Sequence, residues 1–130
     1  VRKYKRCRII SNGELAGTYV KLQQAYFSEN SKFGSWAKIG YNAPGGTSGS
    51  SSVLTNFTYG DGTVEVADDV TTTQTTSWNA KNNAKLNDCN SAYNWTVKVQ
   101  VVDNADKYAA SAGTSDACKS LTPNFEKIGI

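Results

Sequence analysis

The residues best suited to chemistry are four carboxylates, Asp61, Glu65, Asp68 and Asp69, the raw material of acid–base hydrolysis or of an oxygen-ligand calcium site. Their spacing matches no EF-hand loop, and carboxylates in a turn-rich stretch are ordinarily solvated surface. Nucleophilic catalysis has less to work with. A Ser or Cys nucleophile needs a base, and the 130 residues contain no histidine. We therefore expect no catalytic residue, no bound cofactor, no metal ligand and no enzymatic turnover.

Three cysteines carry the remaining reactive chemistry. Cys89 and Cys118 lie late in the chain and Cys7 stands alone near its start, a count that points to one disulfide and one leftover thiol. The alternative is a reduced, buried pair. Asn87, Asp88, Asn90 and Ser91 around the first, with Asp116 and Lys119 around the second, favour a bridge, and a bridge implies an oxidising compartment.

Recognition chemistry has two candidates. Trp36 and Trp78 fall in expected loops, where exposed indoles would stack on sugar rings; a secreted polysaccharide-binding module is the alternative function this supports. Core packing is the default for aromatic residues, and Trp95, in phase with three valines, is assigned to the interior. Arg2, Lys3, Lys5, Arg6 and Arg8 could release counterions on meeting phosphate. A disordered basic tail explains them equally well, and nucleic acid is not the expected partner. These five more than account for the formal +3 charge; the other nine basic residues face eleven acids, a net −2. Asn56-Phe57-Thr58 and Asn94-Trp95-Thr96 match the glycosylation acceptor pattern, but both fall within expected strands.

The elements that position these groups follow from periodicity. From Glu14 to about Asn30, Leu15, Tyr19, Leu22 and Tyr26 recur at helical spacing with Ala16, Val20 and Phe27 beside them, while Glu14, Lys21, Gln24 and Ser28 take the other side. Ser11 and Glu14 match a capping box at the start, and Gly34 lies just past the end. Ser52 to Tyr59 and Thr63 to Ala67 read as strands joined through Gly60-Asp61-Gly62. Residues 79 to 88, after a threonine-rich stretch, read as a helical turn or an ordered loop. Asn94 to Val102 alternates Trp95, Val97, Val99 and Val101 with polar residues and is the best strand; Lys107 to Ala112 follows an Asp103–Asp106 turn. The expected fold is α+β, one amphipathic N-terminal helix on a four- to five-stranded antiparallel sheet, with residues 1–13 a basic segment and 14–130 a single domain. The chain lacks methionine and a visible signal peptide, and is expected to be part of a longer reading frame; no apolar run reaches the roughly 18 residues of a membrane span, so as given it is expected to be soluble.

That architecture, with AGTYVKLQQAYF (16–27) running into GSWAKIGY (34–41) and a C-terminal cysteine pair, resembles the globular part of a bacterial type IV pilin or pseudopilin. The resemblance implies an α/β roll whose helix continues upstream as an apolar spine, with the sheet facing outward and the Cys89–Cys118 loop at the surface. The N-terminal half of the hydrophobic helix that the family carries is missing from VRKYKRCRIISNG (1–13). The spine would then come from upstream sequence or from a separate polypeptide. The implied function is a structural subunit of an extracellular, cell-surface filament, whose partners are identical or related subunits and a cell-surface glycan. Leu15, Tyr19, Leu22, Tyr26 and Phe27 would form the packing and assembly face.

Overall fold

The computed structural model describes residues 2–42, 52–53, 57–60, 72–86 and 88–129, with side chains from residue 13 onward except at 52–53. It is α+β: a long helix, α1 (Arg2–Asn30), a short helix, α2 (Trp36–Ile39), and strands β1 (Ser52–Val53), β2 (Phe57–Tyr59), β3 (Thr75–Asn82), β4 (Trp95–Val102) and β5 (Ala105–Ala112). A short helix, α3 (Asp116–Lys119), and a 3-10 turn at Phe125–Lys127 close the chain. The strands form one antiparallel sheet in the order β1-β2-β3-β4-β5, a meander in which each strand pairs with its sequence neighbours.

The 29 residues of α1 span about 44 Å at 1.5 Å per residue. The helix runs unbroken through Ser11 and Glu14, so the expected capping box lies in its interior and residues 2–13 are helical backbone. Extending an existing helix costs far less than nucleating one, which is why a Ser-x-x-Glu pair need not mark a start. The stop is also displaced. Ser31 takes a left-handed conformation (φ 57°) and its N–H bonds the Phe27 carbonyl at 2.8 Å, ending the helix before Gly34.

The buried stripe of α1 is Ala16, Tyr19, Val20, Gln23 and Phe27, with Leu15, Leu22 and Tyr26 half-buried along one shoulder. Of the expected stripe, Ala16, Tyr19, Val20 and Phe27 are buried, while Leu15, Leu22 and Tyr26 lie toward its edge. A polar residue, Gln23, occupies the middle. Its Nε2 donates to Tyr19 Oη (2.8 Å) and to the Gly34 carbonyl (3.0 Å), and its Oε1 accepts from Gly34 N–H (2.9 Å). One amide thus satisfies both backbone groups of Gly34, which approaches so closely that a Cβ there would meet the Tyr26 ring at 2.8 Å.

Trp95, Val97, Val99 and Val101 of β4 are all buried facing α1, as their alternation predicts. Asp103 and Asn104, both with positive φ, make the two-residue turn to β5, whose eight residues pair in register from Val102↔Ala105 to Trp95↔Ala112.

Two strand assignments need correction. Ser52–Tyr59 is not one strand: β1 and β2 within it pair with each other, Ser52 opposite Tyr59, although Leu54-Thr55-Asn56 carries only Asn as a turn signal. Residues 75–82, read as threonine-rich lead-in and loop, form the central strand β3. A register shift falls between Thr76 and Trp78, and Ser77, Trp78, Asn79 and Ala80 are buried in succession, so the strand shows no two-residue period. The expected strand Thr63–Ala67 and the Asp61-Gly62 part of its turn lie outside the described residues.

Candidate functional site

The tryptophan platform is absent. Trp36 and Trp78 are 1% and 0% exposed, and each indole N–H is bonded inside: Trp36 Nε1 donates to the Ser77 carbonyl and Trp78 Nε1 to Tyr41 Oη, both at 2.8 Å. Trp95 is buried too, its Nε1 donating to Thr122 Oγ1 at 2.9 Å. The segment after α1 looked like a loop bearing scattered aromatics; instead α2, capped by the Ser35 hydroxyl, turns Trp36, Ile39 and Tyr41 inward. Tyr41 sits edge-on to Trp36 and Tyr19, with centroids 5.0 and 5.5 Å away. Burial pushes the Tyr41 phenol well above its ordinary range, against the opposing effect of the Trp78 bond.

Cys89 and Cys118 form the disulfide (S–S 2.01 Å), and both are buried. Around it lies a polar cradle with no obvious signal in the sequence. Asn82, at the end of β3, donates through Nδ2 to the carbonyls of Ala84, Cys89 and Asn90, each at 3.1 Å, while its Oδ1 accepts from Asn94 Nδ2 (2.9 Å) and Ala92 N–H (3.3 Å). Asn94 Nδ2 also donates to the Asn90 carbonyl and approaches Cys89 Sγ at 3.4 Å. The Asn94 amide is therefore a member of this network, and Asn56 of the other acceptor pattern lies outside the described residues.

Asp61, Glu65, Asp68 and Asp69 also lie outside them. Among the described residues no three His, Cys, Asp or Glu side chains converge as metal ligands. Near the C-terminus, Tyr108 donates to Asp106 Oδ2 at 2.6 Å; burial first, then this carboxylate, raise its pKa. Comparison with protein-family models, with curated proteins and with solved structures finds no match.

Two surfaces remain. One is a largely apolar groove of about 400 Å³ lined by Gly13 and Glu14 of α1 and by Leu121–Phe125 and Ile128. The other is the sheet face turned away from α1. On β4 it presents Thr96, Lys98, Gln100 and Val102, and on β5 Ala105, Lys107, Ala109 and Ser111. Lys81 of β3 adds a third cation there, its Nζ 5.8 Å from the centroid of the Tyr93 ring. Asn79, on the same side of β3, is buried with Oδ1 unpartnered.

Proposed function

We propose that this chain is the globular part of a type IV pilin-like subunit that polymerises into an extracellular bacterial surface filament. One observation carries the reading. α1 is a 29-residue helix whose buried side chains, among the described ones, lie between Ala16 and Phe27, and its backbone continues as helix to Arg2. A strand of eight residues spans about 27 Å, so a helix of about 44 Å outruns the sheet it covers.

The projecting turns supply a stem on which subunits stack. Upstream sequence or a separate spine polypeptide would complete it, and Leu15, Leu22 and Tyr26, half-buried on the shoulder of the stripe, form the flank that neighbouring subunits cover. No described helix is long and apolar enough to cross a membrane. The disulfide agrees with an oxidising, extracytoplasmic location, and the antiparallel meander leaves one sheet face for display.

The test is microscopy of surface filaments from the source cells with mass spectrometry of their subunit. Finding this chain as a stoichiometric component supports the proposal; filaments that lack it overturn the proposal.

A further inference from the structure

We propose that the Cys89–Cys118 bridge opens in one direction: an incoming thiolate attacks the Cys118 sulfur, and Cys89 departs as a thiolate into the amide cradle of Asn82 and Asn94. The bridge is then a redox-sensitive clasp on the C-terminal segment, a role that goes beyond filament assembly and does not depend on it.

The asymmetry lies in the donors. Asn94 Nδ2 stands 3.4 Å from Cys89 Sγ and Asn82 Nδ2 3.9 Å from it, Asn82 being fully buried and Asn94 half-buried. In the oxidised protein these N–H groups are shared with carbonyls, Asn82 with those of Ala84, Cys89 and Asn90 and Asn94 with that of Asn90, because a disulfide sulfur accepts only weakly. A thiolate accepts strongly. Negative charge arriving on Cys89 Sγ draws the same hydrogens toward it, and amides already beside the sulfur need little rearrangement to stabilise that charge. Asp88, next to Cys89 in the chain, opposes the charge but is exposed, and water and salt screen it. At Cys118 the hydrogen bonds belong to the main chain: its N–H donates to Ser115 Oγ at 3.1 Å and its carbonyl accepts from Leu121 N–H at 3.2 Å.

Access points the same way. Both cysteines are buried, so a reductant reaches the bridge only through a local opening. Cys118 sits on α3, a single turn held by bonds within residues 115–121, with Thr114, Ser115, Asp116 and Ser120 exposed around it. Cys89 is tied more firmly. Its N–H and carbonyl exchange bonds with Leu86 at 2.8 and 2.9 Å, and the carbonyl also accepts from Asn82 at the end of the central strand. Lifting α3 therefore uncovers the Cys118 sulfur while Cys89 stays seated against the sheet.

A monothiol reductant completes the chemistry in two exchanges. Its thiolate bonds to Cys118 Sγ as the S–S bond breaks, and the bonding pair leaves on Cys89 Sγ; a second thiolate attacks the mixed disulfide, releasing the oxidised reductant and the Cys118 thiolate. Two electrons pass to the cysteine pair, and the two protons lost by the attacking thiols are available to it.

The test exposes the folded, oxidised chain to glutathione at neutral pH, after the Cys7 thiol is blocked with iodoacetamide. Acid quenching at early times and mass spectrometry of a digest then locate the bound glutathione. It should sit on Cys118 about tenfold more often than on Cys89, the ratio that one pKa unit between the two thiols would give. Urea-unfolded wild type should be labelled nearly evenly. Asn94→Leu should lose most of the preference, whereas Gly34→Ala, which weakens the fold away from the bridge, should keep it. Should Asn94→Leu fail to fold, the difference between folded and unfolded wild type still decides. Four results would overturn the proposal: no mixed disulfide while the chain is folded, even or reversed labelling of the folded wild type, an undiminished preference in folded Asn94→Leu, or equal loss in Asn94→Leu and Gly34→Ala. None of these bears on whether the chain is found in filaments.

Discussion

Replacing Gln23 with leucine tests the claim that a buried amide, and not apolar packing alone, fixes the end of α1. The substitution keeps the side chain's approximate size and removes three hydrogen bonds, two of them to Gly34 backbone groups at 3.0 and 2.9 Å. Each interior group left without a partner costs about 1–3 kcal/mol, so the two Gly34 groups together cost roughly 2–6 kcal/mol. Burying a leucine in place of an amide offsets part of this, leaving a net loss of about 2–4 kcal/mol. The control is Gln24→Leu, one residue away but exposed, which should stay within about 0.5 kcal/mol of wild type. The assay is equilibrium urea unfolding of the oxidised protein followed by tryptophan fluorescence, with Trp36 beside the affected loop. A Gln23→Leu variant as stable as wild type, or more so, would refute the reasoning and make α1 attachment a matter of apolar contact only.

Reducing the disulfide, or changing Cys89 and Cys118 to Ser, should lower stability by roughly 3–4 kcal/mol from the 29-residue separation, measured as a shift in urea midpoint. Stability should be flat from neutral pH to about 10 and then fall. Tyr41 holds its proton in the folded state while the unfolded phenol releases it near its ordinary value, so the contribution is complete below that pH and declines above it by about 1.4 kcal/mol per unit. Tyr41→Phe should make this alkaline limb shallower, leaving the part that Tyr108 contributes, while costing about 1–3 kcal/mol at neutral pH, because the Trp78 N–H loses its acceptor. Gly34→Ala should destabilise by forcing the Tyr26 ring aside from a 2.8 Å contact, read as a lowered melting temperature. Soluble glycans, acidic or neutral, should leave tryptophan emission unquenched, since all three indoles are interior.

How much was legible in the sequence depended on whether a local period survived burial. β4 could be read directly because Trp95, Val97, Val99 and Val101 alternate with polar residues and only one face is covered. The turn to β5 was legible as well, since Asp and Asn tolerate positive φ. β3 was hidden by its irregularity at Ser77 and by two buried polar residues, Asn79 and Asn82, the latter satisfied by partners brought from elsewhere. The helix and four of its five buried residues, Ala16, Tyr19, Val20 and Phe27, were visible, but counting apolar residues passed over Gln23, which is interior because Gly34 and Tyr19 satisfy it. Trp36 and Trp78 were misplaced for the same reason, since a carbonyl and a phenol far along the chain accept from their indoles. The cysteine pairing was readable from count and surroundings; the Asn82–Asn94 cradle, a set of contacts over 12 residues, left no pattern to find.

The neighbour-to-neighbour strand order also bears on how the chain matures as it leaves the ribosome or crosses a translocation channel. The ribbons can zip one after another as they emerge, but the surface that shelters Tyr19 and Val20 includes Trp78, Trp95 and Phe125, which arrive many tens of residues later. For that interval the greasy side of the rod has not yet met the part of its own chain that will cover it. Because Cys118 follows the whole meander, covalent closure can occur only after all five ribbons have emerged, and oxidant uptake would serve as a timestamp for the end of maturation.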